Sequence, residues 1–179
     1  MNKQGNTYTF LYSVVLVVVV AALLSIISLS LQPRQNENRE NEKRQNILSA
    51  IHVSSTAANS AELFGKYIKE QFIINAKGEK VEGNAFNVNI EKQYKLPVEE
   101  RELPVFVAEV DGATKYILPM YGAGLWGPIW GYISLDDNKD SIYGTFFDHQ
   151  GETPGLGAEI TTPKFNQAFQ QKQIFSGNQ

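Results

Sequence analysis

The sequence predicts an α+β domain behind one amino-terminal transmembrane helix, on three observations. Residues 10–31 carry no charge, apolar residues then recur at helical spacing, and the second half alternates like strands around short turns. Helical patterns that precede strands, instead of alternating with them, favour antiparallel strands with flanking helices over a parallel βαβ array.

The uncharged run reads FLYSVVLVVVVAALLSIISLSL. About 22 residues as a helix span about 33 Å, which is one bilayer crossing. A cleavable signal would have a shorter apolar region, whereas this one leads through Leu31-Gln32-Pro33 into polar sequence, so an uncleaved anchor is expected. Residues 1–9 form a short tail, and Tyr8 and Tyr12 fall where interfacial aromatics are expected. Only Lys3 precedes the span, while Arg34, Arg39, Lys43 and Arg44 follow it. By the positive-inside rule alone, the domain would face the cytoplasm.

Residues 32–46 read as a polar helical stalk, with Glu40 four before Arg44 in the order that suits a solvated helix. Residues 47–179 are expected to form one domain, whose first apolar surface is Ile47-Leu48-Ser49-Ala50-Ile51. Leu63, Phe64, Tyr67, Ile68 and Phe72 then recur at helical spacing, and residues 75–78 supply a turn before a short strand. Val105, Phe106, Val107 and Val110 form a strand-like run, Asp111-Gly112 signals a hairpin, and residues 116–118 return. Residues 128–135 and 141–148 make a second, aromatic-rich pair around the turn at 136–140. Thr162-Pro163 reads as a cap followed by proline at the first helical position, with Phe165 and Phe169 on the apolar face.

Composition excludes several functions. With 16 Lys plus Arg against 19 Asp plus Glu and no basic block, nucleic acid is not an expected partner. No cysteine is present, which removes disulfides, thiolate nucleophiles, iron–sulfur clusters and thioether-linked haem together. Only His52 and His149 offer imidazole, so no metal site is expected. No nucleophile–base–orienter set can be placed either, so no catalytic residues are assigned. Any redox chemistry would belong to an organic cofactor.

Two glycine-rich segments are the candidate site. Residues 122–127, Gly-Ala-Gly-Leu-Trp-Gly, match the dinucleotide fingerprint in letters, but Pro128 and a strand-like run follow where a helix would have to start. Glycines can instead let backbone approach a flat ring beside the apolar surface of Leu125 and Trp126. The second segment runs from His149 through Glu152-Thr153-Pro154-Gly155-Leu156-Gly157-Ala158-Glu159 and offers amides, a hydroxyl and a carboxylate. Taken alone, both segments read slightly better as structural turns than as a site, and Trp126 and Trp130 as core or interface aromatics.

Together, Leu125-Trp126-Gly127-Pro128-Ile129-Trp130-Gly131, His149 and Glu152-Thr153-Pro154-Gly155-Leu156-Gly157-Ala158-Glu159-Ile160 resemble the flavin-carrying C-subunit of the Na+-translocating NADH:quinone reductase. The resemblance extends to the anchor and to Asn46-Ile47-Leu48-Ser49-Ala50. It implies an FMN-binding-type domain held at the inner membrane by a single span, facing the periplasm against the charge count. It also implies the other members of the complex as partners, an electron-relay role within the reductase, and no independent catalysis. On it, Gly124, Leu125, Trp126 and Gly127 are assigned to the ring side of FMN, and Glu152, Thr153, Gly155, Leu156 and Gly157 to its polar and backbone contacts. Glu152 and His149 could tune the flavin or only hydrogen-bond within the loop. The family holds FMN covalently on the threonine of an S/T-G-A-T motif, which is absent here; the sequence reads Phe175-Ser176-Gly177-Asn178-Gln179 at its end, and the acceptor is expected beyond Gln179. Asp111-Gly112-Ala113-Thr114 shares three letters of the motif but reads as a hairpin turn. Two alternatives stand beside this reading: the related G-subunit of the Rnf electron-transport complex, and a flavin-free extracytoplasmic scaffold.

Overall fold

The structure, a computed structural model, describes residues 5–175; residues 1–4 of the expected tail and residues 176–179 lie outside them. The chain divides into two compact units, one up to Glu40 and one from Asn41 onward. The first belongs to α1 (Asn6–Ser49), no part of whose apolar stretch is buried and which is, among the described residues, the one helix long and apolar enough to cross a membrane. Three of the four serines in this stretch satisfy themselves within the helix. Ser13, Ser25 and Ser30 donate their hydroxyls to the carbonyls of Thr9, Ala21 and Ile27, so these hydroxyls need no partner from lipid. The helix continues through Pro33, which removes one ladder donor.

In the second unit, Ile47, Leu48, Ala50 and Ile51 are fully buried and found the core. The helix is closed by a left-handed residue, His52 at φ 62°, with Val53 N–H donating to Leu48 O and His52 N–H to Ser49 O. This is the Schellman pattern with histidine where glycine is usual. α2 (Ser60–Tyr67) leads directly into β1 (Ile68–Ile74). The helical spacing expected through Ile68 and Phe72 therefore stops at Tyr67. Pairing decides this: Phe72 lies opposite Val105 and Ile73 opposite Pro104, and a β-branched run gains more as a strand than as a further helical turn. Residues 75–78 turn the chain into the short β2 (Lys80–Val81). The helix α3 (Ile90–Tyr94), capped by Asn89, was not expected from apolar spacing.

β3 (Leu103–Val110), β4 (Ala113–Ala123), β5 (Pro128–Leu135) and β6 (Ile142–His149) form an antiparallel meander, in a six-stranded sheet of order β2-β1-β3-β4-β5-β6. The α+β architecture and its hairpins are as the pattern predicts. Asp111 and Gly112 both adopt positive φ, 51° and 77°, the geometry of a tight hairpin turn. Thr114 sits in that hairpin opposite Glu109. One sheet face carries Phe106, Ile117 and Ser134 in a row and meets the end of α1, where Ser134 Oγ donates to Ala50 O at 2.5 Å. On the other face α4 (Pro163–Gln167) is capped by Thr162, whose Oγ1 accepts from Phe165 N–H at 3.3 Å. Phe165 and Phe169 pack on Phe147, with ring centroids 5.7 and 5.5 Å away.

Candidate functional site

Register brings the two glycine segments together. Residues 124–127 are the β4–β5 turn, closed by Gly124 N–H donating to Gly127 O at 2.8 Å. Ile129 lies opposite His149, so β6 ends beside the start of β5, and Gln150 N–H donates to Pro128 O at 3.0 Å. The second loop therefore leaves the sheet next to the first. Gly122 lies on β4 and a strand, not a helix, follows Gly127, so a pyrophosphate-binding helix start is absent from this position.

Within the second loop, Thr153-Pro154-Gly155-Leu156 forms a tight turn. Gly155 takes φ 74° and Leu156 N–H donates to Thr153 O at 3.1 Å, as a turn with proline second and glycine third requires. Thr153 O also accepts from Ala158 N–H.

Glu152 joins the loops. Its Oε1 accepts from Trp126 N–H at 3.0 Å across 26 residues of sequence. A Cβ placed on Gly124 would overlap Glu152 Oε1 and the Gly127 carbonyl oxygen, and one placed on Gly157 would overlap Glu152 Oε2 and press on its Cβ, so a side chain at either position has to displace the carboxylate from its present place. His149 Nδ1 accepts from Glu152 N–H at 3.1 Å, which orients the residue that bridges. Both side chains are thus held by loop hydrogen bonds.

What the bridge leaves uncovered is apolar. Leu125, Trp126 and Leu156 are 83%, 68% and 73% exposed, and the Thr153 hydroxyl has no hydrogen-bond partner among the described residues. Backbone that is tied down, with large apolar side chains left free on both loops, suits a flat ring with a polar edge such as isoalloxazine. Sequence reasoning located both loops but not Glu152 as their bridge. It also passed over a second cavity, near Lys43 and Trp130, because a stalk lysine and a strand tryptophan each have an ordinary explanation.

Residues 124–178 match the FMN-binding domain family. The crystal structure of the Na(+)-translocating NADH-quinone reductase C-subunit from Parabacteroides distasonis is 50% identical, with a TM-score of 0.76, over 81% of this chain and 71% of that one. This chain belongs to the NqrC family, the C-subunits of the Na(+)-translocating NADH-quinone reductases. The Haemophilus ducreyi member is 27% identical over 99% of this chain and 76% of its own length. NqrC from Shewanella oneidensis shares the fold, with a TM-score of 0.66 at 24% identity over 78% of this chain and 73% of that one. Membership fits the site. The region of this NqrC-family chain that matches the FMN-binding domain begins at Gly124 and takes in both loops.

Proposed function

We propose that this NqrC-family protein relays electrons through FMN held between the β4–β5 turn and the loop after β6, within a Na+-translocating NADH:quinone reductase. One observation carries the reading: Glu152 ties Trp126 to the second loop while Leu125, Trp126 and Leu156 stay exposed around the junction. FMN supplies the electron chemistry itself when bound. The protein's part is position. Leu125, Trp126 and Leu156 give the ring apolar contact, while the Thr153 hydroxyl and the backbone of Gly124, Gly127, Gly155 and Gly157 meet its polar edge. Glu152 acts as the bracket that sets the spacing of the two sides, braced by His149.

The domain division belongs to the same proposal: residues 10–31 cross the inner membrane, 32–46 form a stalk, and 47–179 carry the flavin on the periplasmic side. The other members of the complex are its partners, and the protein has no independent catalysis. The family's covalent link uses the threonine of an S/T-G-A-T motif, and the two loops are the part of the flavin site that these residues supply.

Titrating FMN into the purified chain in detergent, followed by flavin fluorescence, tests the site. Saturable binding that weakens when Trp126, Leu156 or Thr153 is replaced is the expected result. Absence of binding, or binding indifferent to all three, would overturn it. Protease treatment of oriented vesicles tests placement, and a domain protected inside cytoplasmic-side-in vesicles but cut in inverted ones would reverse the assigned side.

A further inference from the structure

Beside the flavin loops, on the sheet face that meets the end of α1, lies a separate cavity of about 610 Å3. Cavities of roughly 300–1,000 Å3 suit small ligands. One wall is built from cross-strand pairs, Tyr121 opposite Trp130 and Pro119 opposite Tyr132, on β4 and β5. The facing wall is the segment leading into α3, including Val88, with Lys43 of α1 reaching in from its end.

Three polar groups around this cavity lack full partners. Lys43 Nζ donates to Phe86 O at 2.5 Å and Val88 O at 3.2 Å and stands 5.0 Å over the Phe86 ring. An ammonium has three protons, so one donor remains, and no carboxylate neutralises it among the described residues. Burial pushes its pKa below the ordinary lysine value. Tyr132 is only 8% exposed, yet its hydroxyl makes no hydrogen bond among the described residues, and the ring lines the cavity. The hydroxyl is not sealed off, since the buried side-chain polar atom without a partner among the described residues is Ser55 Oγ, so the Tyr132 hydroxyl is free to donate to a molecule in the cavity. The indole N–H of Trp130 is likewise without an acceptor among the described residues, on the same wall. The acidic side chain on the facing wall, Glu91, is paired with Lys95 at 2.7 Å and so does not oppose an anion.

We propose that this cavity is a second binding site, for a planar aromatic molecule whose carbonyl or anionic edge accepts hydrogen bonds from Lys43 and Tyr132 while its ring lies on Trp130 and Tyr121. This goes beyond the flavin reading and does not rest on it, because the cavity is lined by none of the residues assigned to FMN.

The two tryptophans make the test direct. In a Trp126→Phe background of the full chain in detergent, Trp130 is the sole indole. A naphthoquinone sulfonate, planar with both carbonyl and anionic edges, is titrated against Trp130 fluorescence. The expected result is saturable quenching that weakens about fivefold in Tyr132→Phe and about tenfold in Lys43→Gln, with Lys43→Arg recovering part of the loss. Tyr132→Phe removes only an unpartnered hydroxyl and keeps the ring, so it decides the matter if Lys43→Gln fails to fold. Quenching that rises linearly with probe, or saturates equally in both variants, overturns the site. Competitive displacement by FMN also overturns it, by making the cavity part of the flavin site; failure of FMN to bind at all would leave the quenching result standing.

Discussion

The turns at either end of β5 are built in opposite ways. The turn at residues 136–140 uses its own side chains to hold its backbone: Asn138 Oδ1 accepts from Asp140 and Ser141 N–H and Asn138 Nδ2 donates to Ser141 Oγ, while Asp136 takes Lys115 at 2.5 Å and Asp140 accepts from the N–H groups of Ile174 and Phe175. Its side chains hold its own backbone and an adjacent strand. The turn at residues 124–127 is held from outside, by Glu152 of another loop, and its own large side chains face solvent. A turn that needs an external bracket to position exposed apolar groups is organised for something other than connecting strands.

Substitutions can sharpen or break this contrast. The largest effect is expected from Gly157→Val, whose side chain must displace the Glu152 carboxylate and part the loops. FMN affinity should fall by about a hundredfold and stability by about 1–3 kcal/mol, read by titration and by urea unfolding. Unchanged affinity would show that the bracket does not set the site. Next, Trp126→Ala combined with Thr153→Ala should weaken FMN roughly tenfold or more while leaving the urea midpoint in place, because Trp126 is mostly exposed. A large loss of stability would recast Trp126 as structural. Smaller again, Glu152→Ala should lower FMN affinity several-fold and stability by about 1–2 kcal/mol, with Glu152→Gln close to the parent because an acceptor remains for Trp126 N–H. Smallest for flavin is Asn138→Ala: about 1 kcal/mol of stability lost and no change in FMN affinity. Should that affinity fall too, the two turns are not independent.

Much of the frame is legible in the residues themselves. Asp111-Gly112 announces its hairpin because positive φ is accessible to few residues, and Thr162-Pro163 announces a helix start because proline's missing donor costs nothing there. Other features are not. His52 closes α1 in the left-handed region without the glycine that would have marked the stop, and it holds because Val53 and Leu48 complete the motif with their backbone. Ile68 and Phe72 carry a spacing compatible with a helix, and only their partners on β3 assign them to a strand.

The candidate site divides the same way. Both loops could be found from their glycines and aromatics, and residues 10–31 from length and lack of charge, since these are properties of contiguous stretches that set backbone period and turn geometry. The tertiary structure alone decided that Glu152 closes on Trp126 across 26 residues, and that Lys43 and Tyr132 share a cavity despite lying on different elements. Such pairings depend on strand register and on how the end of α1 packs against the sheet, and neither is encoded in the local preferences of the residues that meet.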